Sequence, residues 1–336
     1  MPIQLIMPLM TSTIPTLRRQ LALVFFALVL TLLFSAPPVL AQCGTISKYM
    51  PPPDKIGCSK GGLNYAIYGT TGAPLLAIHG LGGSMYSWRE FVKTKDTFPG
   101  YQIILIDLLG AGNSLKPRNG KYKILQQRDL VYDFIVNELK LTNLTLVGNS
   151  YGGAVSLVLT LKLMKVNAGL LEKLILIDSG GYNKLLPWYL KLLRTPVLGW
   201  LALRILTPSE AADTVLKNAY YDDRLITKEQ IAAYAEPIGA RGGRRALLKT
   251  AQGVIPKRIN TITAKYRTID LPTLILWGGD DEVIPLEIGE MLHSAIKTSD
   301  LQLINECGHI PQEEKPAETI CRMRKFLGLP TTGCPL

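Results

Sequence analysis

Seven short apolar runs, separated by stretches of helical period, constrain this chain more than any other feature. They are Leu63–Tyr68, Leu75–Ile78, Ile103–Ile106, Leu144–Val147, Leu174–Ile177, Leu274–Trp277 and Leu301–Ile304. The last five lack strict polar alternation, the pattern of strands buried on both faces of a mostly parallel sheet. Between them Leu130, Val131, Phe134, Ile135 and Leu139 follow helical spacing, as do Leu157, Leu161 and Met164, and later Ile288, Met291, Leu292 and Ile296. Alternation of this kind predicts an α/β fold with a mostly parallel, doubly wound sheet. It stops between about Asn183 and Asp270, where only helical segments occur. A structureless loop of that length is implausible inside a domain, so residues 183–270 read as an inserted helical cap. Residues 42–182 and 271–336 then form the core.

Residues 1–41 stand outside this pattern. They contain no Asp or Glu. Arg18 and Arg19 precede an apolar run from Leu21 to Ala36, and Val39 and Ala41 occupy the −3 and −1 positions of a cleavage site before Gln42. This is the layout of a secretory signal. A retained N-terminal anchor is the alternative, although the run is shorter than the roughly 20 residues a span needs. Leu40-Ala41-Gln42-Cys43 also half-matches a lipoprotein site. All these readings put the rest of the chain outside the cytoplasm. There Cys43 with Cys58, and Cys321 with Cys334, would each close a short loop and pin one end of the chain. Cys307 is left over and reads as a buried core thiol.

Formal net charge is +11. Most of the surplus lies in 183–270, which hold 15 basic and 7 acidic residues. The basic residues are scattered and not interleaved with aromatics, so a nucleic-acid partner is not expected. Peripheral contact of a basic cap with an anionic membrane is compatible with them, through Arg241, Arg244, Arg245, Lys257 and Arg258. Three histidines and no C-x-x-C pair argue against a metal site. With no phosphate-binding glycine motif, no cofactor is expected.

The chemistry is carried by four loops that follow predicted strands. Gly148-Asn149-Ser150-Tyr151-Gly152 is a G-x-S-x-G between a strand and a helix, where Gly148 and Gly152 make room for a sharp turn that lifts Ser150 above the sheet. His79-Gly80-Leu81-Gly82-Gly83 forms a glycine-rich loop, and the N–H groups of Leu81 and Tyr151 are the expected oxyanion hole. Trp277-Gly278-Gly279-Asp280-Asp281 and Gly308-His309-Ile310-Pro311 supply an acid and a histidine. Nucleophile, acid and histidine thus come in the order Ser, Asp, His, each at the edge where open α/β sheets place their sites.

Taken together these motifs resemble the α/β-hydrolase fold superfamily, in its capped serine-hydrolase branch, over about Leu63 to Leu327. The resemblance implies that the acid of W-G-x-x-D-x-x-x-P is Asp281, with Asp280 a solvated neighbour and Asp178 an alternative acid position. It implies that His309 is the general base, that His79 and Asp107 are structural, and that the cap lies where capped members carry their lid. Serine at position 150 disfavours the dehalogenases and epoxide hydrolases of this fold, which use aspartate there. The expected activity is hydrolysis of carboxylic esters, small or lipid-like, with Trp188, Trp200 and cap leucines roofing the site. C–C bond hydrolysis of the meta-cleavage-product type, cofactor-free haloperoxidase or acyltransferase chemistry, and a non-catalytic binding protein are the alternatives. Nothing in the sequence fixes an oligomeric state.

Overall fold

The computed structural model describes residues 43–120, 122–183 and 187–334, without the side chains of Trp188, Tyr189 and Pro196. The expected signal at 1–41 and the side chain of Trp188 therefore lie outside the described residues. In chain order the strands are β1 (Lys55–Cys58), β2 (Asn64–Tyr68), β3 (Ala73–Ile78), β4 (Tyr101–Asp107), β5 (Leu144–Asn149), β6 (Leu171–Ile177), β7 (Thr273–Gly278) and β8 (Ser299–Ile304). They form one sheet in the order β1-β2-β4-β3-β5-β6-β7-β8. The pairs β1/β2 and β2/β4 are antiparallel, and every other pairing is parallel.

The uninterrupted apolar runs have a direct explanation. Side chains alternate across a strand, and both faces of the sheet are covered. Leu76, Ile78, Leu174, Leu176, Ile275 and Trp277 pack into one core layer. Their neighbours Leu75, Ala77, Ile175, Ile177, Leu274 and Leu276 pack into the other. Full burial of each such side chain contributes roughly 1.5–3 kcal/mol. β1 was not foreseen from the sequence. It is a half-exposed edge strand, so burial imposes no pattern on it.

The helices are α1 (Ile124–Asp133), α2 (Tyr151–Val166), α3 (Trp188–Arg194), α4 (Pro196–Ile205), α5 (Pro208–Ala219), α6 (Lys228–Gly239), α7 (Gly243–Gly253), α8 (Ile259–Thr263), α9 (Leu286–Ala295), α10 (Pro311–Glu314) and α11 (Pro316–Leu327). On α2, Val155, Leu157, Val158, Leu159 and Leu163 are all buried, because this helix packs on the central strands β3, β5 and β6 and against α1. Helices α3 to α8 all fall between β6 and β7, so the stretch where alternation stops is a helical insertion. Disulfides join Cys43 to Cys58 and Cys321 to Cys334, and Cys307 is a buried free thiol. Among the described residues no helix is long and apolar enough to cross a membrane.

Candidate active site

The turn from β5 into α2 forces Ser150 to φ +56°, a left-handed conformation that costs a non-glycine residue strain. The chain accepts it because its surroundings are tight. A Cβ on Gly152 would stand 2.1 Å from the Ile78 carbonyl oxygen, and one on Gly148 would stand 2.6 Å from that of Gly152. Only glycine fits at either position.

Ser150 is thereby aimed at His309. Ser150 Oγ lies 2.7 Å from His309 Nε2, and His309 Nδ1 lies 2.7 Å from Asp281 Oδ2. The other oxygen of Asp281 accepts the backbone N–H groups of Val283 (2.7 Å) and Ile284 (3.0 Å). That carboxylate is fixed as an acceptor, so Nδ1 carries the ring proton and Nε2 is free to accept one from serine. Asp280 is exposed and takes no part. The three residues singled out from sequence are therefore one hydrogen-bonded chain.

The glycine-rich loop after β3 passes close above Ser150. A Cβ on Gly80 would be 3.1 Å from the Ser150 Cβ, so a side chain there would press the loop away from the serine. His79 is buried and takes no direct part. It accepts the Leu108 N–H at 3.0 Å through Nε2 and lies 2.7 Å from the Gly80 carbonyl through Nδ1. Burial pushes its pKa down, and the neutral ring braces the loop. Tyr151 begins α2, where its N–H has no preceding helical carbonyl to bond. It lines the same cavity as Leu81 and Ser150. Asp107 organises its own turn, accepting Met85 N–H (2.7 Å), Asn113 N–H (2.8 Å) and Asn64 Nδ2 (3.0 Å).

Several residues that support the histidine were not found from sequence. The Asn149 amide donates to the Ile177 and His309 carbonyls, both at 3.1 Å. The His309 N–H donates to the Ala219 carbonyl at the end of α5, at 2.7 Å. The Glu314 carboxylate accepts three backbone N–H groups: Gly308 at 2.7 Å, and Tyr221 and Asp222 at 2.9 Å. Glu313 accepts from Ser87 at 2.6 Å, from Tyr234 of α6 and from Arg89. The helical insertion is thus bonded to the loop that carries His309. Repeated Glu after a histidine loop was visible in the sequence, but nothing in it showed what those carboxylates would meet.

Asp178, weighed as an alternative acid, does not contact the histidine in this chain of bonds. It sits fully buried at φ +43° behind Asp281. One of its oxygens accepts the Gly278 N–H at 2.8 Å and the other has no partner among the described residues. Burial, and then the negative charge of Asp281, push its pKa well above the carboxylate range. Asp178, Asp281 and His309 bring ligand-type atoms within 4.8 Å of one another, but both ring nitrogens of His309 are already committed to Ser150 and Asp281.

Above Ser150 lies a cavity of about 830 Å³, its open mouth included. Ile124, Val158, Leu190, Val254 and Ile288 line it, together with Tyr182 and Tyr266. Those tyrosine hydroxyls are spent on the Met291 and Gly181 carbonyls. A smaller lobe of about 470 Å³ adjoins it on the His309 side, walled by Ser87, Asn149, Val215, Leu216 and Tyr234. Among the described residues no Asp, Glu, Lys or Arg lines either lobe. Trp200, expected in the roof, is on the outside instead, half exposed with Arg204 stacked over its ring. Leu190 of α3 takes the inner place.

The sequence model of the alpha/beta hydrolase fold matches residues 73–316. The chain belongs to the α/β-hydrolase fold family. Among curated members of that family, Lipase 3 of Moraxella sp. is 30% identical over 264 residues, covering 76% of this chain and 78% of the lipase. A 2-hydroxy-6-oxononadienedioate/2-hydroxy-6-oxononatrienedioate hydrolase of Paraburkholderia xenovorans is 25% identical, covering 78% and 88% of the two chains. The solved structure of an alpha/beta hydrolase fold protein from Burkholderia ambifaria superposes with a TM-score of 0.70 at 21% identity, over 82% of this α/β-hydrolase and 98% of that one.

Proposed function

We propose that this α/β-hydrolase is a serine hydrolase of carboxylic esters with an apolar acyl or alcohol part. The observation that carries the reading is a Ser150–His309–Asp281 chain with 2.7 Å links at the floor of a cavity whose described lining residues bear no charged side chain beyond that chain. His309 Nε2 takes the Ser150 proton as the serine oxygen attacks the ester carbonyl. Asp281 holds the ring tautomer and stabilises the imidazolium that forms. The N–H groups of Leu81 and Tyr151 receive the oxyanion. The imidazolium returns its proton to the departing alkoxide, leaving an acyl-serine. Water, deprotonated by the same histidine, then releases the acid.

C–C bond hydrolysis is the second reading, favoured by the dienedioate hydrolase relative. A doubly anionic substrate needs cationic partners where it is desolvated. Among the described residues the two lobes supply none, which supports the ester reading. The helical insertion is read as the cap that roofs the site through Leu190 and its neighbours. Export is part of the same proposal. It is supported by the composition of residues 1–41 and by two disulfides, which persist in oxidising compartments.

A series of p-nitrophenyl esters from acetate to dodecanoate tests the substrate class. The expected result is a kcat/KM that rises from acetate to a maximum at a medium or longer acyl chain. A steady decline from acetate through octanoate would overturn the apolar preference.

A further inference from the structure

The insertion carries an outward face that the hydrolase reading does not use. On α4 (Pro196–Ile205), Val197, Leu198, Trp200, Leu201 and Ile205 are exposed, with Val197 and Ile205 more than 70% accessible. At 100° per residue these positions and Arg204 span one arc of about 160°. The opposite side carries Gly199 and Leu203, which are buried against the protein. Isolated exposed apolar residues need no explanation, but five exposed apolar residues gathered on one arc of a helix, with Arg204 the one charge among them, mark a contact site.

The surrounding charge says what it contacts. Between Asn183 and Ser209 the sequence has four basic residues and no acidic one. Lys191 and Arg204 are exposed there, Arg204 stacked on the Trp200 ring 5.0 Å away. A second copy docking face to face would oppose like charges across the contact. An anionic lipid surface offers apolar depth for the arc and counter-charge for Arg204 within it and Lys191 on the neighbouring helix. The helix is also braced for such a role. Arg244 of α7 reaches back to the Leu203 carbonyl, while Arg245 is spent on the Lys116 carbonyl at 3.1 Å. These two arginines, expected on a membrane-facing surface, serve packing instead, and the apolar arc of α4 lies elsewhere on the insertion.

We infer that α4 is an interfacial helix that seats the enzyme on anionic lipid through Val197, Leu198, Trp200, Leu201 and Ile205. The inference extends the proposed ester chemistry to substrates drawn from a lipid layer. Pro187 and Leu190 line the cavity above Ser150, and α3, which carries Leu190, packs directly on α4. Helix α4 on the lipid thus stands one helix away from the cavity wall.

Vesicle co-sedimentation tests it. The described residues from Cys43 onward hold both core layers and both disulfides, so protein beginning at Cys43 excludes the apolar run of the N-terminus from the readout. The probes are phosphatidylcholine vesicles with and without about one third phosphatidylglycerol. The protein is expected to bind the anionic vesicles, and Leu198→Ser/Ile205→Ser to reduce the bound fraction at least tenfold. Lys191→Gln/Arg204→Gln is expected to remove most of the preference for anionic over neutral vesicles. Both variants should keep their circular dichroism and their rate on a short soluble ester. No binding by the parent protein, or equal binding by the apolar variant, would overturn the inference. So would a dimer in light scattering that the apolar variant converts to monomer, since the arc would then belong to a second copy. Vesicle binding without hydrolysis of any ester would instead remove the proposed function and leave the interfacial helix standing.

Discussion

Asp281 and Asp280 are adjacent in the chain and opposite in environment. Asp281 is held by His309 and two backbone N–H groups, while Asp280 faces solvent. Changing Asp281 to Asn should lower kcat by on the order of 10⁴, because the amide favours the wrong imidazole tautomer. Asp280→Asn should cost less than about threefold, in line with the small effect of surface substitutions. Steady-state kinetics of the two variants decide this, and the reverse ranking would contradict the geometry. Asp178 gives a second prediction. Its folded pKa lies above its ordinary value of 3.8, so the fold binds this proton more tightly than the unfolded chain does. That contribution is complete below the unfolded value and is lost as pH rises through the folded one. Asp178→Asn removes it and keeps a residue type that tolerates the positive φ. The difference in Tm between parent and variant should therefore move against the parent as pH rises from about 4 to about 8. A difference constant with pH would contradict a raised carboxyl. Ser150, His309 and Asp281 were legible because each sits in a short motif whose backbone demands are local. Asn149, Asp178, Glu313 and Glu314 were not, because what they do depends on partners distant in sequence.

At the level of elements, the short helix α10 does more than end the histidine loop. Its two glutamates tie His309 to the core through Ser87 and Arg89, and to the insertion through Tyr234, Tyr221 and Asp222. The Glu313 side chain is fully buried and that of Arg89 is 14% exposed. Removing one partner of such a pair leaves the other charge unmatched and typically costs about 3–5 kcal/mol. Glu313→Ala should destabilise the protein by that amount in urea unfolding, and a loss below about 1 kcal/mol would show that the pair is a surface-like contact. The strands β3 to β7 could be read from sequence because double-sided burial writes an apolar run into each, whereas the edge strand β8 showed only Leu301, Leu303 and Ile304. The insertion could be recognised only as helical. Its helices face cavity, sheet edge and solvent in turn, so apolar residues mark several faces and period alone does not say which face is inward. Trp200 illustrates this, being large, apolar and outside.

Across the whole molecule, the sheet and the insertion converge on one point. The parallel strands end together, so three loops separated by up to 159 residues meet at Ser150. The mostly parallel, doubly wound sheet followed from the alternation of runs, and the candidate site from the strand-ending loops, but the strand order did not. The outward apolar arc of α4 did not, since a leucine-rich helix reads the same from sequence whether it faces a core or solvent. The central claim is that Ser150 is the nucleophile, made reactive by His309. Labelling with a fluorophosphonate, followed by peptide mass spectrometry, tests it most directly. The account predicts one covalent adduct, on the peptide containing Ser150, and none in Ser150→Ala with its fold unchanged. An adduct on another residue, or undiminished labelling of Ser150→Ala, would contradict it.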